Sequence, residues 1–487
     1  MCDGSYSTTE TTGITYTMEP ALQCPYTCTA CGKGDSWPDV YNNTPCTPTE
    51  NGVCACSLKA AWVGGAGADL KCNATFAIFV PLGEEDERRS LMQGLGEEDG
   101  RRSLAQGLSR GVKSFAMYND KMYIGAQSYI NTGVYDDFVA IWDGSLWQSF
   151  GGDGLSITCT DCQQAHINSL VSFKDKLYAF GRFKATVGSV TVTSYAAWDP
   201  VNSWVVPGGG TGSHAYLWEA HCSLVHNSIL YVGFYANKIN KASGDMNIDN
   251  ILRFDGTTWL PRGNFGAKGA GVTAMIFYQD NIIVGGHYKM TRVGNTIPDQ
   301  YDNKGQPVFS SNMEVNAIAA FNPVTSVWSA LVDKDTNDNG LGFSGTVLAS
   351  YIVNAFAIFN GDLIVGGNYD SFLPSNTPVK NIAKYSGTLK KWSVLGNATH
   401  NGVVGPVYAL AVFVETLFVA GQFFQLGDGT SVGNIAMWSG TAWSKLILKP
   451  PFYGVNAIIN SLIVHNDLLY LGGGFTDCMF DRRRSAA

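Results

Sequence analysis

The clearest candidate for a metal site is an acidic stretch in the middle of the chain. Asp333, Asp335, Asn337 and Asn339 place oxygen-bearing side chains at alternate positions, and Gly340 follows. Calcium is held in proteins by several carboxylate and amide oxygens of one loop. The spacing therefore predicts a structural calcium site, and no other cofactor is expected. The glycine comes later than in an EF-hand, so a turn rich in Asp and Asn within an inserted loop is the alternative.

A second group of chemically capable residues surrounds position 220. His214, His221 and His226 lie close in sequence to Glu219 and Cys222, and these residue types serve in acid–base chemistry and metal binding. Side chains along a strand alternate between its two faces, so His221 and His226 are expected on opposite faces. The pattern argues against a catalytic role, and we expect a protein that is not an enzyme.

Cysteines are concentrated at the start of the chain. Of the 12 cysteines, ten are predicted to form disulfides: Cys2, Cys24, Cys28, Cys31, Cys46, Cys54, Cys56, Cys72, Cys159 and Cys162. This density is typical of a small module that disulfides stabilise in an oxidising compartment, and zinc binding by thiolates is the alternative. Asn42, Asn73 and Asn397 each begin a glycosylation sequon. We therefore predict a secreted, glycosylated chain.

The composition excludes two classes of partner. Only 15% of the residues are charged and the net charge is -8, so the chain lacks the basic surface that nucleic acid requires. The longest apolar run is interrupted by Glu415 and is shorter than the about 20 residues that cross a bilayer. We expect neither a nucleic-acid partner nor a membrane span.

A repeated sequence phrase predicts the β-strands on which these residues are placed. A phrase of strand-forming residues that ends in one or two small residues, mostly glycine, begins at Met122, Leu177, Leu230, Ile282, Leu363, Leu417 and Leu469. Successive copies start 52 to 55 residues apart, except for one interval of 81 residues that carries an insertion. A period near 50 is typical of propeller blades. The glycines are expected where backbone approaches backbone too closely for a Cβ atom.

Each repeat carries signals for two hairpins. An apolar stretch such as residues 407–413 leads through a short turn into the glycine strand. In six copies a second phrase follows, with an aromatic residue, a turn such as Asp-Gly or Asn-Pro, and a tryptophan. The predicted fold is all-β: a seven-bladed β-propeller of four-stranded antiparallel blades, with a small disulfide-rich N-terminal module.

These phrases resemble those of the kelch and galactose-oxidase-like propeller family over residues 112–480. Its repeats end a strand in Gly-Gly and later carry an aromatic-Asp-Pro phrase that ends in Trp. The oxidases of that family use copper with tyrosine and histidine ligands, and no motif of this chain matches those ligands. The segment from Cys24 to Cys72 resembles an EGF-like module. Together the parts resemble cell-surface and flagellar-hair (mastigoneme) proteins of protists.

The chain is predicted to divide into five segments. They are a cysteine-rich module (1–57), strands that close the last blade (58–81), a charged tandem-repeat loop (82–111), the seven-repeat propeller (112–480) and a tail (481–487). The seventh copy lacks the tryptophan hairpin, so residues 58–81 are expected to supply its missing strands. Two alternatives are a chain that continues past Ala487 and a neighbouring molecule that donates the strands.

One position per repeat is predicted to form a ligand-binding ring at one face of the propeller. It is the residue after the glycine pair: Gln127, Arg182, Tyr235, His287, Asn368 and Gln422. Polar strand ends that meet water are the alternative. The predicted function is that of an extracellular structural or interaction glycoprotein, a subunit of a cell-surface or filamentous assembly that binds other extracellular proteins or copies of itself. A secreted carbohydrate-binding (lectin-like) propeller is the alternative, and a galactose-oxidase-like enzyme ranks third.

Overall fold

The computed structural model describes most of the repeat region and three short strands before it. The N-terminal strands are β1 (Ser7–Thr9), β2 (Thr15–Thr17) and β3 (Phe76–Ile78). In the repeat region the described stretches are 111–128, 138–142, 147–149, 156–157, 165–187, 190–201, 203–207, 219–234, 238–241, 244–247, 250–261, 271–290, 315–342, 352–397, 400–449, 452–465 and 468–475. The ten predicted disulfide cysteines, the tandem-repeat loop, Asn42, Asn73, His214 and Tyr235 lie outside the described residues.

Every regular element in these stretches is a β-strand, so the predicted all-β class is confirmed. None of the described residues belongs to a helix that is long and apolar enough to cross a bilayer.

The strands follow the sequence repeats, and we number the seven repeats as units 1 to 7. The strands of units 1 and 2 are β4 (Val112–Tyr118), β5 (Lys121–Ser128), β6 (Val139–Trp142), β7 (Trp147–Ser149), β8 (Ser156–Ile157), β9 (Ala165–Phe173), β10 (Lys176–Val187), β11 (Val190–Asp199) and β12 (Ser203–Val205). Those of unit 3 are β13 (Ala220–His226), β14 (Ile229–Phe234), β15 (Lys238–Lys241), β16 (Gly244–Asn247), β17 (Ile251–Phe254) and β18 (Trp259–Pro261).

Units 4 to 7 continue the pattern. The strands of units 4 and 5 are β19 (Gly271–Tyr278), β20 (Asn281–Met290), β21 (Val315–Asn322), β22 (Val327–Ser329), β23 (Gly340–Gly342), β24 (Ile352–Phe359), β25 (Asp362–Asn368), β26 (Ser371–Leu373), β27 (Ile382–Ser386) and β28 (Lys391–Val394). Those of units 6 and 7 are β29 (Val407–Phe413), β30 (Thr416–Gly421), β31 (Ile435–Trp438), β32 (Trp443–Lys445), β33 (Ile447–Lys449), β34 (Phe452–Tyr453), β35 (Ile459–His465) and β36 (Leu468–Gly473).

Each unit begins with an antiparallel hairpin, and six units add two further antiparallel strands. In unit 5, for example, the order is β24-β25-β27-β28, and unit 6 has the order β29-β30-β31-β32. The turn of the first hairpin has two residues with positive φ, as at Asn119 (47°) and Asp120 (58°). Such turns match the twist of the paired strands. The sequence repeat therefore encodes a repeated antiparallel meander.

Further pairings connect different units or join segments outside this meander. Strands β5 and β9 pair and join units 1 and 2 into one nine-stranded sheet. Strand β23 lies parallel to β21 and antiparallel to β26, which links units 4 and 5. Strand β3 pairs in parallel with β36 of unit 7, with Phe76 opposite Leu469. Strand β3 belongs to the segment predicted to close the last blade, and the role of residues 58–81 as a whole stays a prediction.

The first strand of every unit contains a β-bulge at the same repeat position. The pairing with the second strand shifts by one residue there, so one residue is left without a register partner. The seven bulge residues are Lys113, Asn168, His221, Thr273, Asn354, Tyr408 and Asn460. The two residues opposite each bulge are the pair, mostly glycine, that defines the sequence repeat.

The two glycines of a pair make different close approaches, as unit 4 illustrates. A Cβ atom on Gly285 would overlap the side chain of Val353 in the first strand of unit 5. A Cβ atom on Gly286 would overlap the carbonyl oxygen of Gly271, just before the bulge of its own unit. The first glycine therefore allows the neighbouring unit to pack closely, and the second allows the bulged strand of its own unit to approach.

Buried apolar side chains collect between successive units. Phe180 of unit 2 belongs to one cluster with Phe254 of unit 3, and Tyr231 of unit 3 belongs to another with Val284 of unit 4. Each of the six larger clusters combines residues of two consecutive units. A sheet with two apolar faces is stabilised when each face packs on a different neighbour. The units therefore form their core jointly.

The glycine pair gives a direct stability prediction. We expect Gly286→Ala to lower the free energy of unfolding by about 1–3 kcal/mol, because the new methyl group must displace backbone. Gly361 is the matched control, since it has open space around it and a φ of 80° that Asn tolerates. Gly361→Asn is expected to change stability by less than about 1 kcal/mol. Chemical denaturation measures the free energy of unfolding of both variants. Equal losses of stability would contradict the close-approach explanation.

Candidate functional site

A cluster of charged and polar side chains lies where the first strands of units 1 to 3 begin. Glu219 directly precedes β13, and its Oε1 lies 3.0 Å from Nε2 of His166 on β9. The same oxygen is 3.8 Å from Nε2 of His221, the bulge residue of unit 3. In the sheet, His166 lies between two register partners. Gln127 of β5 is on one side and Arg182 of β10 is on the other. These five residues bring together side chains from three units.

The carboxylate of Glu219 is the electrostatic centre of this cluster. Burial would raise its pKa, but the hydrogen bond from His166 and the electrostatic interactions with His221, His166 and Arg182 outweigh burial. The net result is a pKa of about 2, so Glu219 is ionised at neutral pH. Burial lowers the pKa of His221 against the opposing effect of Glu219, which favours the neutral imidazole.

Lys113, the bulge residue of unit 1, also belongs to the cluster. Burial lowers the pKa of its ammonium group, while the charge of Glu219 raises it. Its Nζ lies 3.5 Å from Oδ1 of Asn460, the bulge residue of unit 7. The cluster thus extends from unit 3 through unit 1 to the first strand of unit 7.

The three bulge asparagines serve as links between units. Nδ2 of Asn168 donates a hydrogen bond to the carbonyl of Ala220 in the next unit, at 3.0 Å. Nδ2 of Asn354 donates in the same way to Val407, also at 3.0 Å. The bulge turns the amide outward from its own sheet, where it reaches the backbone of the neighbouring first strand.

Sequence reasoning identified part of the cluster and missed a central member. Glu219 and His221 are brought together, whereas His226 lies at the far end of β13 and stacks on Phe277, with ring centroids 3.8 Å apart. His166 was missed because it contacts Glu219 only across units. A signal was present, since His166 and Glu219 each stand two positions before the bulge of their own unit.

The predicted ligand-binding ring is described at five of its six positions. Gln127, Arg182, His287, Asn368 and Gln422 all follow the second strand's glycine pair and lie opposite the start of the first strand. Only Gln127 and Arg182 flank the charged cluster around His166. Ligand binding by the whole ring stays a prediction.

The predicted calcium stretch forms a turn that is closed by its own hydrogen bonds. Oδ1 of Asp333 accepts hydrogen bonds from the backbone of Asp335 and Thr336, and its Oδ2 accepts one from Trp392 N at 2.8 Å. Asp335 instead forms an exposed ion pair with Lys391 at 2.9 Å. The two carboxylates therefore have separate structural partners.

Hydrogen bonds within the protein also fix the other polar side chains of this stretch. Oδ1 of Asn339 accepts a hydrogen bond from Asn316, and the buried Asp338 accepts two from Ser375. Asn337 has a φ of 61°, as the turn requires. Within the described ranges no group of three or more His, Cys, Asp or Glu residues is arranged to hold a metal ion. Calcium binding stays a prediction.

Two further predicted features are partly described. Asn397 is exposed, and its Oδ1 accepts a hydrogen bond from His400 N at 3.0 Å. Glycosylation at this position stays a prediction. Cys222, next to His221, is a free thiol. Burial raises its pKa to about 12, so it is not a nucleophile at neutral pH.

Comparisons with known proteins assign the chain to no family. No family model matches it, and no curated protein matches it. One similar solved structure is the crystal structure of the computationally designed Ika8 protein (crystal packing No. 1 in P63). It is 12% identical, with 76% of this chain and 95% of that chain covered, at a TM-score of 0.37. A similarity at this level carries no argument about fold or function.

The charged cluster predicts a specific pH dependence of stability. The folded pKa of Glu219 is about 2 against an ordinary value of 4.5, so its stabilising contribution is present above pH 4.5 and is lost as the pH falls toward 2. The lowered pKa of His221 acts in the same direction below pH 6.5. We expect the melting temperature to fall on acidification, most steeply below pH 4.5.

Two variants separate this effect from general acid sensitivity. Glu219→Gln removes the titrating carboxyl group and is expected to flatten the profile below pH 4.5. Glu415→Gln, at an exposed turn position between β29 and β30, is the matched control and is expected to keep the wild-type profile. Thermal unfolding between pH 2 and 7 measures both, and parallel profiles for wild type and Glu219→Gln would refute the assignment.

Proposed function

We propose that the seven units close into a ring, a seven-bladed β-propeller, which acts as a non-enzymatic binding subunit of an extracellular assembly. The observation that carries this proposal is the contact between the last and the first unit. Nδ2 of Asn460 in unit 7 donates a hydrogen bond to the carbonyl of Val112 in unit 1, at 3.0 Å. The same bulge-to-backbone bond links units 2 and 3 and units 5 and 6.

The glycine of unit 7 supports the same closure. A Cβ atom on Gly472 would overlap the side chains of Val112 and Phe115 in unit 1. Gly366 of unit 5 has the equivalent relation to Val407 of unit 6. Unit 7 therefore contacts unit 1 as an ordinary successor, which is the relation that a closed ring of equivalent units requires.

The electrostatics of the cluster favour binding over catalysis. A general acid or base works best with a pKa near the pH at which it operates. The pKa of Glu219 is about 2 and that of Cys222 is about 12, both far from neutrality. Tyr178 and Tyr195 also have pKa values of about 12, because they are buried. None of these groups has a pKa that matches proton transfer near neutral pH.

The extracellular setting rests on the sequence. Ten cysteines with disulfide-like spacing and three sequons support a secreted glycoprotein. A rigid ring of repeated units offers large surfaces at low mobility, which suits a subunit that binds other extracellular proteins or copies of itself. A cell-surface or filamentous assembly, such as a flagellar hair, is the context that we propose.

A second candidate function is carbohydrate binding at the charged cluster. Nδ1 of His166 is buried and has no hydrogen-bond partner in the part of the chain that the structure describes. Gln127 and Arg182 stand on either side of it. A buried polar atom without a partner costs free energy, and a ligand hydroxyl group would satisfy it.

Electron microscopy of the secreted, full-length chain tests the proposed function. We expect negatively stained top views with seven radial segments, and regular filaments or complexes in material from the native source. Open or linear stacks would contradict the ring. Dispersed ring-shaped particles that bind on a glycan array would leave the ring in place and support carbohydrate binding. In that case Arg182→Ala is expected to abolish binding, while replacement of the exposed Gln422 by Ala serves as the control.

A further inference from the structure

An amine and a carboxamide from opposite ends of the repeat region lie side by side. Nζ of Lys113 is 3.5 Å from Oδ1 of Asn460, although the two residues are 347 positions apart in sequence. The amide of Asn460 is held in place, because its Nδ2 donates to the carbonyl of Val112 at 3.0 Å. Its carbonyl group therefore stays directed at the lysine.

The surroundings of Lys113 favour nucleophilic chemistry. A lysine attacks a carbonyl carbon only as the neutral amine, and burial promotes that form. Burial lowers the pKa of Lys113. The ionised carboxylate of Glu219 acts electrostatically on the lysine and opposes the effect of burial. Lysine, amide and carboxylate come from units 1, 7 and 3.

We propose that Lys113 and Asn460 form an intramolecular isopeptide bond that joins unit 1 covalently to unit 7. The Lys113 ammonium group loses a proton to solvent water, and the neutral Nζ attacks Cγ of Asn460. The new Nζ–Cγ bond forms and the Cγ–Nδ2 bond breaks. Nδ2 gains one proton from Nζ and leaves as ammonia, which takes up a proton from solvent to become an ammonium ion. The step balances as lysine ammonium plus carboxamide giving amide plus ammonium ion, with no oxidant or reductant.

The other bulge asparagines provide an internal comparison. Asn168 and Asn354 occupy the same repeat position and make the same hydrogen bond to the next unit. The bulge residue of that next unit is His221 for Asn168 and Tyr408 for Asn354. Neither carries a primary amine. Of the three bulge asparagines, only Asn460 faces a lysine, so only this pair can form an amide.

The bond would secure the contact at which the proposed ring closes, but the inference does not depend on the proposed function. It needs only the contact between Lys113 and Asn460. A chain without the bond could still form a ring that is held by packing and hydrogen bonds. Peptide mapping therefore tests the bond, and electron microscopy tests the ring, as separate experiments.

Peptide mapping of the secreted, full-length protein tests the bond directly. We expect trypsin digestion followed by tandem mass spectrometry to yield a branched peptide that contains both Lys113 and Asn460. Its mass should be lower than the sum of the two peptides by one ammonia. Trypsin should also fail to cleave after Lys113, because its amine is acylated. Peptides with Asn168 and Asn354 should be unmodified. Recovery of separate, unmodified Lys113 and Asn460 peptides from folded wild-type protein would overturn the proposal.

Three variants test the roles of the residues. Lys113→Met and Asn460→Ala are each expected to abolish the branched peptide. Glu219→Gln keeps the size of the side chain and removes the charge that raises the pKa of Lys113, so its folded form should retain the branched peptide. Asn354→Ala is the matched control, which loses an equivalent hydrogen bond and should retain the branched peptide. Since wild-type mapping decides the bond, a variant that fails to fold does not affect the test.

Discussion

The close approach of backbone at the bulge of each first strand is the constraint on which the rest of this structure depends. A bulge leaves one residue without a partner in the sheet, and the strand opposite must come near enough to keep its own hydrogen bonds. At Gly286 the approach to Gly271 is so close that a Cβ atom would overlap the carbonyl oxygen. The neighbouring unit then packs on the adjacent glycine, as Val353 does on Gly285. Where both residues are glycine, as in units 4 and 7, one pair thus satisfies two packing requirements, within a unit and between units.

The same geometry determines where chemistry can occur. A bulge residue is free of the sheet's register, so its side chain is available to the neighbouring unit. In units 2, 5 and 7 the residue is asparagine, and it becomes a hydrogen-bond link. In units 1 and 3 it is Lys113 and His221, and there the equivalent positions build a charged cluster around Glu219. The structural frame is therefore repeated in every unit, while its chemical content varies from unit to unit.

The sequence predicted local features far better than contacts between units. Hairpin turns, antiparallel strands and the glycine positions follow from interactions within about 15 residues, and turn and strand preferences report such interactions. The contact of His166 with Glu219 joins residues 53 positions apart, and no local preference encodes it. The bulge itself was not predicted, because strand alternation assumes an unbroken register. Alignment of the seven copies on their glycines carried the missing signal, since it places His166 and Glu219 at one repeat position.

The calcium stretch shows that one local spacing is compatible with two structures. Alternate oxygen-bearing residues are the pattern of a cation loop, but they are equally the pattern of a turn whose carboxylates accept backbone hydrogen bonds. Asp333 accepts three such bonds, and one comes from Trp392, which lies 59 residues later in a different strand. A carboxylate that already accepts hydrogen bonds from three N–H groups has fewer lone pairs to offer a cation. Sequence spacing reports how many oxygens a loop can supply, whereas only the fold reveals how many of them other groups already use.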